Sequence, residues 1–300
     1  MEIGIVTVLY NSAPDLPDFF CSLDGQTCRG FTLYIVDNAS PDDSLKQAER
    51  LAKIVDFQTI FIRNEQNGGI AQGNNLGIRA AREAGCEWIV LANNDTVWES
   101  DTLAVLLEQV EQNNARIASP KILAHNTDRL WYAGGRRNRW RGGTVHFRND
   151  RIEAPAKVEY APTCCMLIHR AVFDRIGPMD EHFFLYYDDT DFVRRARGAG
   201  IAVWYIPQAV IRHKEGSSGR IASPTAQYWL SRNLLLFTHK HHSKTYWYYV
   251  LTVSLLILFG KRLFTFGRPE WLASRRGLRD GVRACRRLPA EPISEKAWRT

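Results

Sequence analysis

The chain of 300 residues lacks several patterns that would assign it to a common class at once. Its six cysteines form no CxxC pair and show no metal-type spacing, which predicts reduced thiols in a cytosolic protein. The N-terminus has no basic region ahead of its apolar run, so we expect no signal peptide. The uncharged stretch 245–260 is shorter than the ~20 apolar residues of a membrane-spanning helix. Internal repeats and low-complexity segments are also absent, and the 45% hydrophobic and 24% charged fractions are those of a globular protein.

Excess positive charge is missing from most of the chain, although the net charge is +7. Residues 261–300 hold 11 Lys+Arg and 4 Asp+Glu, which leaves 28 residues of each sign in 1–260. The basic character therefore belongs to the C-terminal tail, behind an apolar segment. Nucleic-acid binding is not predicted.

Apolar β-rich runs alternate with amphipathic stretches in the first half of the chain. This alternation predicts βαβ units and an α/β fold with a mostly parallel central sheet flanked by helices. In such sheets ligands bind beyond the carboxyl ends of the strands. The predicted strands are 3–10, 31–40, 57–65, 88–95 and 116–123. One predicted helix begins near residue 14, and the other three cover 42–52, 74–85 and 101–113.

The second half is less regular. Residues 131–160, rich in Gly, Arg and Trp, predict an irregular β excursion or a loop. "CCMLIHRAVFDRIG" predicts a strand and a short helix, and "FFLYYDDTDFVRRARGAG" a helix that ends at Gly198 or Gly200. "IAVWYIPQAVIRH" predicts a strand pair broken at Pro207, and "YWLSRNLLLFTHKHH" a helix.

Polar side chains follow the predicted strands where a ligand would bind. These residues are Asn11, Asp37, Asn38, Asn64 and Asp95. The Asp37 carboxylate could accept hydrogen bonds from a base or a ribose. The alternative is that "DNASPDD" caps the next helix, with Ser40 as the better cap.

A glycine-rich segment, "NEQNGGIAQGNNLGI" at 64–78, leads into a helix. Its backbone amides and the helix N-terminus could receive an anion. It is neither a Walker A loop nor a dinucleotide GxGxxG motif, so alone it is a weak signal.

Two acidic positions suggest chemistry. Asp95 could bind a divalent cation, but one carboxylate makes a poor site, and His213 is the candidate second ligand, with a structural histidine as an equal alternative. "YYDDTD" places Asp188, Asp189 and Asp191 at a helix start. Crowded carboxylates raise one another's pKa, which suits a general base, and helix electrostatics is the equal alternative.

The order of these pieces resembles a known family. "VTVLYNS", "VDNASPDD", "NGGIAQGNN", "LANNDT" and "FFLYYDDTDFVRRARGAG", followed by "VIRH", are similar to family 2 of the inverting glycosyltransferases, which have the GT-A fold. Within the family the chain resembles bacterial rhamnosyltransferases that build cell-surface polysaccharide. The resemblance covers about residues 1–240.

The resemblance implies a role for each matched position. Asp189 would be the catalytic base, and Asp95 with His213 would hold Mg²⁺ or Mn²⁺. Candidate contacts to the acceptor or the diphosphate are Asp188, Arg232 and Asn233. The donor, dTDP- or UDP-linked and with dTDP-rhamnose as the best candidate, would contact Thr7, Tyr10, Asn11, Asp37, Asn67, Gly68, Asn74, Asn75 and Asn94.

Three positions depart from the family pattern. Asn93 replaces the first carboxylate of the DxD motif, which would weaken metal binding, and Asp188 replaces a glutamate. Thr163, in "PTCCML", stands where a glycine near the sugar is usual, which puts donor or acceptor choice in question.

The C-terminal part predicts an attachment to a membrane surface. We expect a catalytic domain at 1–215 and a helical extension at 216–300, with an apolar interfacial helix at 245–260 and a basic tail. The protein would be cytoplasmic and peripheral on the inner face of the cell membrane, near a glycan or polyprenyl-linked acceptor. An ordinary core helix with a solvated tail is the alternative.

Two other functions stay open at this point. One is a nucleotide-sugar-binding protein that has lost catalysis. The other is a metal-dependent sugar-phosphate nucleotidyltransferase, for which the chain lacks the expected glycine-rich N-terminal loop with Arg or Lys.

Overall fold

The computed structural model describes residues 2–214, 223–265 and 267–288. The first half alternates strands and helices, as the sequence predicts. Its elements are β1 (Ile3–Leu9), α1 (Leu16–Asp24), β2 (Phe31–Asp37), α2 (Ser44–Leu51), β3 (Gln58–Arg63), α3 (Gly69–Glu83), β4 (Trp88–Ala92), β5 (Thr96–Trp98), α4 (Thr102–Gln112) and β6 (Ile117–Ala124).

The second half begins with short strands, which confirms the predicted β excursion, and ends with helices. Its elements are β7 (Leu130–Tyr132), β8 (Gly135–Arg137), β9 (Thr144–His146), β10 (Ala156–Val158), β11 (Cys165–His169), α5 (Arg170–Ile176), α6 (Asp188–Gly198), β12 (Val203–His213), α7 (Pro224–His241), α8 (Lys244–Thr265) and α9 (Pro269–Arg287). Gly200, at φ +81°, follows α6.

The central sheet has the strand order β10-β12-β6-β11-β4-β1-β2-β3. The neighbours β3, β2, β1 and β4 are parallel, and so are β6 and β12. β11 runs antiparallel between β4 and β6. The mostly parallel α/β sheet is therefore confirmed, and its four parallel strands β1 to β4 end at one edge.

Helix α3 begins five residues earlier than predicted, because its glycines allow it to lie close to the sheet. A Cβ at Gly73 would lie 2.7 Å from Cγ1 of Val8, and one at Gly77 would overlap Cγ1 of Val6. Glycines that weaken a helix in isolation are required here by close packing against β1.

One further sequence prediction was wrong in detail, and one strand was not predicted. β12 is one strand rather than a pair, because a register shift between Ile206 and Val210 removes Pro207 from the hydrogen-bonded ladder. β5 was not predicted. It is three residues long and pairs with the end of β12, so no local periodicity marks it.

The last three helices pack on one another. Leu235 of α7, Val250 of α8, and Leu278 and Cys285 of α9 form their shared core. Within the described parts of the chain, no helix is both long and apolar enough to cross a bilayer. The proposed boundary at 215/216 stays a prediction, and residues 289–300 of the basic tail lie outside the described residues.

All six cysteines are described, and they are free thiols.

Candidate active site

The end of β1 supplies three of the predicted donor contacts. Thr7 is fully buried within the strand, and its Oγ1 has no hydrogen-bond partner among the described residues. Tyr10 is 42% exposed. Asn11 adopts the left-handed conformation at φ 55°, which turns the chain away from the sheet edge. Nδ2 of Asn94 donates to the Val8 carbonyl at 2.7 Å, so it ties the end of β4 to this segment.

Asp37 ends β2 and is almost buried. Its Oδ1 accepts a hydrogen bond from the Ser40 backbone N–H at 3.2 Å. Ser40 does not cap α2, because the helix begins at Ser44, with Asp43 in the N-cap position. The alternative of Ser40 as a cap is therefore wrong. Asp37 instead uses Oδ1 to stabilise the turn at Ser40.

The glycine-rich loop does not offer the anion site that its sequence suggested. The N–H groups of Gly68, Gly69 and Ile70 already donate to Oδ1 of Asn38, Oδ1 of Asn67 and the Phe184 carbonyl. Gly69 is at φ +86°, and a Cβ there would overlap the Phe184 backbone. The start of α3 is thus a docking point for the 179–187 segment, and the anion expectation for these amides was wrong.

Two adjacent asparagines of α3 also face that segment. Asn75 donates through Nδ2 to the Met179 carbonyl at 2.9 Å and to Glu181, and its Oδ1 accepts from the Met179 N–H at 2.9 Å. Asn74 lies 3.6 Å from the Met179 sulfur. The structure therefore uses Asn75 to hold the chain that leads into α6.

Asp95 and His213, 118 positions apart in the sequence, come together as the sequence reasoning required. β5 runs antiparallel to the end of β12 and pairs Thr96 with His213, and the Lys214 N–H donates to the Asp95 carbonyl at 2.9 Å. Nε2 of His213 then lies 3.3 Å from Oδ1 of Asp95, and both side chains are largely buried.

This donor set fits a divalent cation only in part. A carboxylate oxygen and an imidazole nitrogen are both accepted ligands, and Nδ1 of His213 has no hydrogen-bond partner among the described residues. The described residues contain no group of three or more His, Cys, Asp or Glu placed to hold a metal. A cation here would therefore need water and the oxygens of a diphosphate as further ligands.

Two of the three positions that depart from the family pattern lie beside this pair. Asn93 is exposed, and its N–H donates to the Cys164 carbonyl at 2.9 Å. Thr163 is nearly buried, directly before that cysteine. A backbone hydrogen bond thus links Asn93, just after β4, to the residue that follows Thr163, just before β11.

The three carboxylates at the start of α6 lie in different environments. Asp191 is fully buried, and it pairs with Arg195 at 2.8 Å, Lys240 at 2.7 Å and His241 at 2.6 Å. Burial opposes its ionisation, but these three partners outweigh it and hold the pKa of Asp191 well below its usual range. Asp191 is therefore a structural anion that attaches α7 to α6.

Asp189 has the opposite character. Its side chain is half-buried, the Tyr160 hydroxyl donates to Oδ2 at 2.5 Å, and the Thr190 hydroxyl donates to Oδ1 at 3.0 Å. Burial raises the pKa of Asp189, and these hydrogen bonds partly oppose the rise. Burial and the charge of Asp189 raise the pKa of Asp188 further. Asp191 thus stays ionised in a structural role, whereas the raised pKa of Asp189 suits proton exchange.

Arg232 and Asn233 of α7 hold the chain just before α6. Asn233 is fully buried and donates to the carbonyls of Leu185 and Tyr186 at 2.9 and 3.0 Å. Arg232 donates to the His182 carbonyl at 2.9 Å. Tyr186 has the left-handed φ of 64°, so Asn233 supports a strained turn directly before Asp188. Direct contact of Arg232 or Asn233 with substrate stays a prediction.

The sequence did not predict the residues that contact these carboxylates from distant parts of the chain. Tyr160 follows β10, and Lys240 and His241 end α7. The sequence offered a weak signal for the second group, since "THKHH" closes an apolar helix with cations that need a buried counter-ion. It offered none for Tyr160.

The model of the family described as "Glycosyl transferase family 2" matches residues 4–177. Two curated relatives are 27% identical. The N-acetylglucosaminyl-diphospho-decaprenol L-rhamnosyltransferase of Mycobacterium tuberculosis aligns over 73% of this chain and 78% of its own. The dTDP-rhamnosyl transferase RfbF of Shigella flexneri aligns over 81% and 82%.

Solved glycosyltransferases share the fold. The mannosyltransferase PcManGT of Pyrobaculum calidifontis, in complex with GDP-Man and Mn²⁺, superimposes with a TM-score of 0.58 at 14% identity, over 95% of this chain and 85% of that chain. S. aureus TarS 1-349 in complex with UDP-GlcNAc gives 0.56 at 16% identity, over 95% and 82%. These likenesses show that the fold is GT-A.

Proposed function

Because the chain belongs to glycosyl transferase family 2, we propose that it transfers a sugar, with inversion, from a nucleoside diphosphate to a glycan or polyprenyl-linked acceptor. The donor we propose is dTDP-rhamnose. The names of the two curated relatives support that donor and a lipid-linked acceptor.

The observation that carries this proposal is the placement of Asp189. It is a half-buried carboxylate with a raised pKa, beside the sheet edge where Asp95 and His213 meet. Burial raises the pKa of the Cys164 thiol well above its usual range, and the charges of Asp95 and Asp189 add to the rise. The segment 160–164 links the two carboxylates, because the Tyr160 hydroxyl donates to Asp189 and the Cys164 carbonyl accepts from the N–H of Asn93, two residues before Asp95.

In the proposed mechanism Asp189 accepts the proton of the acceptor hydroxyl as it attacks the anomeric carbon. The attack comes from the face opposite the nucleoside diphosphate, which inverts the configuration. Tyr160 and Thr190 hold the carboxylate of Asp189 in place through its two oxygens. A bound Mg²⁺ or Mn²⁺ would neutralise the leaving diphosphate, and Asp95 and His213 are the residues that would hold it. Asp37 and Tyr10 are the proposed contacts to the nucleoside.

We also propose that the last helices attach the enzyme to the inner face of the cell membrane. Helix α8 packs one side against α7 and α9 and exposes apolar side chains on the other, including Leu256 at 65% and Phe259 at 66%. Exposed arginines line the neighbouring α9. An exposed apolar face beside cations suits the interface of an anionic leaflet, and it argues against the alternative of a buried core helix.

Calorimetric titration tests the donor and the metal together. Purified protein is titrated with dTDP-rhamnose, UDP-glucose, UDP-galactose and UDP-N-acetylglucosamine, in Mg²⁺ or Mn²⁺ and then in EDTA. We expect metal-dependent binding of dTDP-rhamnose, and we expect Asp95→Ala to abolish the metal dependence. If no nucleotide sugar binds, the transferase proposal is wrong. Release of pyrophosphate from a nucleoside triphosphate and a sugar phosphate would point to a nucleotidyltransferase.

The variant Asp189→Asn tests the base. Turnover should fall by about 10²–10⁴-fold, because a general base contributes about that much. Donor affinity should stay near the wild-type value, because the proposed donor contacts are elsewhere. An equal loss of donor binding and turnover would contradict the assignment, and donor binding without turnover in the wild-type protein would indicate a pocket that has lost catalysis.

A further inference from the structure

The arginine-rich stretch "GRRNRWRGG", residues 135–143, has no role in the proposed reaction. It forms the antiparallel hairpin β8–β9 and its tip. The tip is fixed against the C-terminal helices, since a Cβ at Gly142 would lie 2.9 Å from Cδ1 of Leu234 and the Tyr246 hydroxyl donates to the Arg139 carbonyl at 2.6 Å. The hairpin is therefore a built part of the molecule rather than a free loop.

Behind this hairpin, cations gather with few counter-charges. Nη2 of Arg137 lies 3.2 Å from Nε2 of His242, at the end of α7. Arg194 of α6 has a buried Nε with no hydrogen-bond partner in the part of the chain that the structure describes. Among those residues the one ion pair made by Arg137, Arg194 and Arg197 is the contact of Arg197 with Glu159, at 3.9 Å.

The crowding of these cations shows in their pKa values. Burial and the charge of Arg194 lower the pKa of Arg137, and Glu159, whose Oε2 accepts from the Arg137 backbone N–H at 3.0 Å, partly opposes that fall. Burial, Arg137 and Arg194 lower the pKa of His242 to about 4, so this histidine is neutral near neutral pH. Arg137 and Arg194 are half-buried cations, and an anion placed between them would offset their mutual repulsion.

An apolar surface adjoins the cluster on the side of α8. A cavity of about 110 Å³ lies between the hairpin tip and the helices. The side chain of Trp140, which is 77% exposed, lies at the edge of this cavity. The residues that line the cavity are Trp140, Arg141, Leu234, Val250, Val253 and Ile257, with Ser254 as a polar member. Charge and apolar surface thus meet, as in a site for an amphipathic anion.

The cluster is also close to the proposed base. Arg194 follows Asp189 by five residues in α6, which is about 7.5 Å along a helix axis. Tyr160, whose hydroxyl holds Asp189, donates its backbone N–H to the Gly135 carbonyl at 3.2 Å. Arg137, two residues after Gly135, therefore lies on the hairpin that packs against Tyr160, the residue that holds Asp189.

We propose that Arg137 and Arg194 bind the diphosphate of a lipid-linked acceptor, with its hydrocarbon chain lying against Trp140 and α8. The inference rests on the proposed transferase function and adds to it the residues that recognise the acceptor. It places the first sugar of the acceptor between the diphosphate and Asp189.

Binding of farnesyl diphosphate, farnesol and inorganic diphosphate, measured by calorimetry on the full chain, tests the proposal without turnover. We expect farnesyl diphosphate to bind more tightly than either of the other two, because only it uses both surfaces. Arg137→Gln and Arg194→Gln should each weaken its binding by about 10- to 100-fold, since hydrogen bonds to charged groups contribute that much. Arg137→Lys, which keeps the charge, should lose less than Arg137→Gln.

Arg136→Gln is the matched control. Arg136 lies on the same strand, but it is exposed on the opposite face, and the variant loses the same charge. Its affinity for farnesyl diphosphate should stay near the wild-type value. An equal loss in Arg136→Gln, equal binding of inorganic diphosphate and farnesyl diphosphate, or no binding of farnesyl diphosphate would each overturn the site.

Titration of dTDP-rhamnose into the same preparations separates the two proposals. If the nucleotide sugar binds and farnesyl diphosphate does not, the acceptor site alone is wrong. We expect Arg137→Gln to bind dTDP-rhamnose as the wild-type protein does. A parallel loss of dTDP-rhamnose binding would assign the arginines to the donor and refute the acceptor site.

Discussion

Removing the Tyr160 hydroxyl should change the pH dependence of the reaction. In Tyr160→Phe, Oδ2 of Asp189 loses the donor at 2.5 Å, while Oδ1 keeps its two donors from Thr190. The lost hydrogen bond favours the ionised carboxylate, so its removal raises the pKa of Asp189 further. A base acts in its ionised form, and activity is lost as the pH falls through its pKa. The acidic limb should therefore move to higher pH.

The size of the pKa shift follows from the charge on Oδ2 of Asp189, the oxygen that accepts the Tyr160 hydrogen bond. A hydrogen bond to an ionised group contributes about 1.5–3 kcal/mol, and about 1.4 kcal/mol corresponds to tenfold in rate. Asp189 is half-buried, so water can replace part of the lost donor, and the lower end of that range applies. On the acidic limb we expect kcat/KM to fall about tenfold, and on the alkaline plateau to stay near the wild-type value.

The assay is kcat/KM for sugar transfer as a function of pH, with Tyr205→Phe as the control. Tyr205 belongs to the same aromatic cluster through Tyr132, with ring centres 5.8 Å apart. Its hydroxyl has no hydrogen-bond partner among the described residues, so its removal should leave the acidic limb in place. An unshifted limb in Tyr160→Phe, or a shift to lower pH, would refute the reasoning.

Two further predictions concern stability, measured by urea unfolding. Gly77→Ala should lower the free energy of unfolding by about 1–3 kcal/mol, because the added Cβ overlaps a side chain of β1. Gly260→Ala is the control, because a Cβ there has no atom within 4 Å and should leave the free energy of unfolding unchanged. Equal losses in the two variants would contradict the packing argument. Lys240→Met should cost about 3–5 kcal/mol, because it removes a cation shared by the buried Asp180 and Asp191. Asp191 has a lowered pKa, so its contribution to the free energy of unfolding is present above the ordinary carboxyl pKa and is lost as pH falls through the folded-state pKa. Lys240→Met raises that folded-state pKa, so the pH-dependent loss should be smaller and should be complete at higher pH. An unchanged pH profile would show that Lys240 does not stabilise the ionised form.

Local patterns predicted most of the elements in the first half of the chain. The strands ending at Leu9, Asp37, Arg63 and Ala92 follow from short apolar runs bounded by polar residues. Each of these runs is buried along its length or packed on the core, so its hydrophobicity is a property of the local sequence. The start of α3 was predicted too late, because the glycines that normally end a helix are used here for contact with β1.

The candidate site divides in the same way. The sequence predicted Asp95 and His213 as a pair of metal ligands, and the family resemblance singled out Asp189 as the base; these roles stay predictions. The pairing of Asp95 with His213 depends on β5 and β12, and the character of Asp191 depends on Lys240 and His241 of α7. Apart from the family resemblance, no pattern in the residues around Asp191 distinguishes it from Asp189.

By itself, then, the sequence determined the α/β class, the strand ends that carry polar residues, and the family that their order resembles. These depend on hydrophobic periodicity and residue type, which act over a few neighbours. Only the tertiary structure decided which carboxylate keeps its charge, which amides of the glycine-rich loop are already used, and that Arg137 contacts His242. Those outcomes depend on burial and on electrostatic contacts between segments far apart in the chain, which local sequence does not contain.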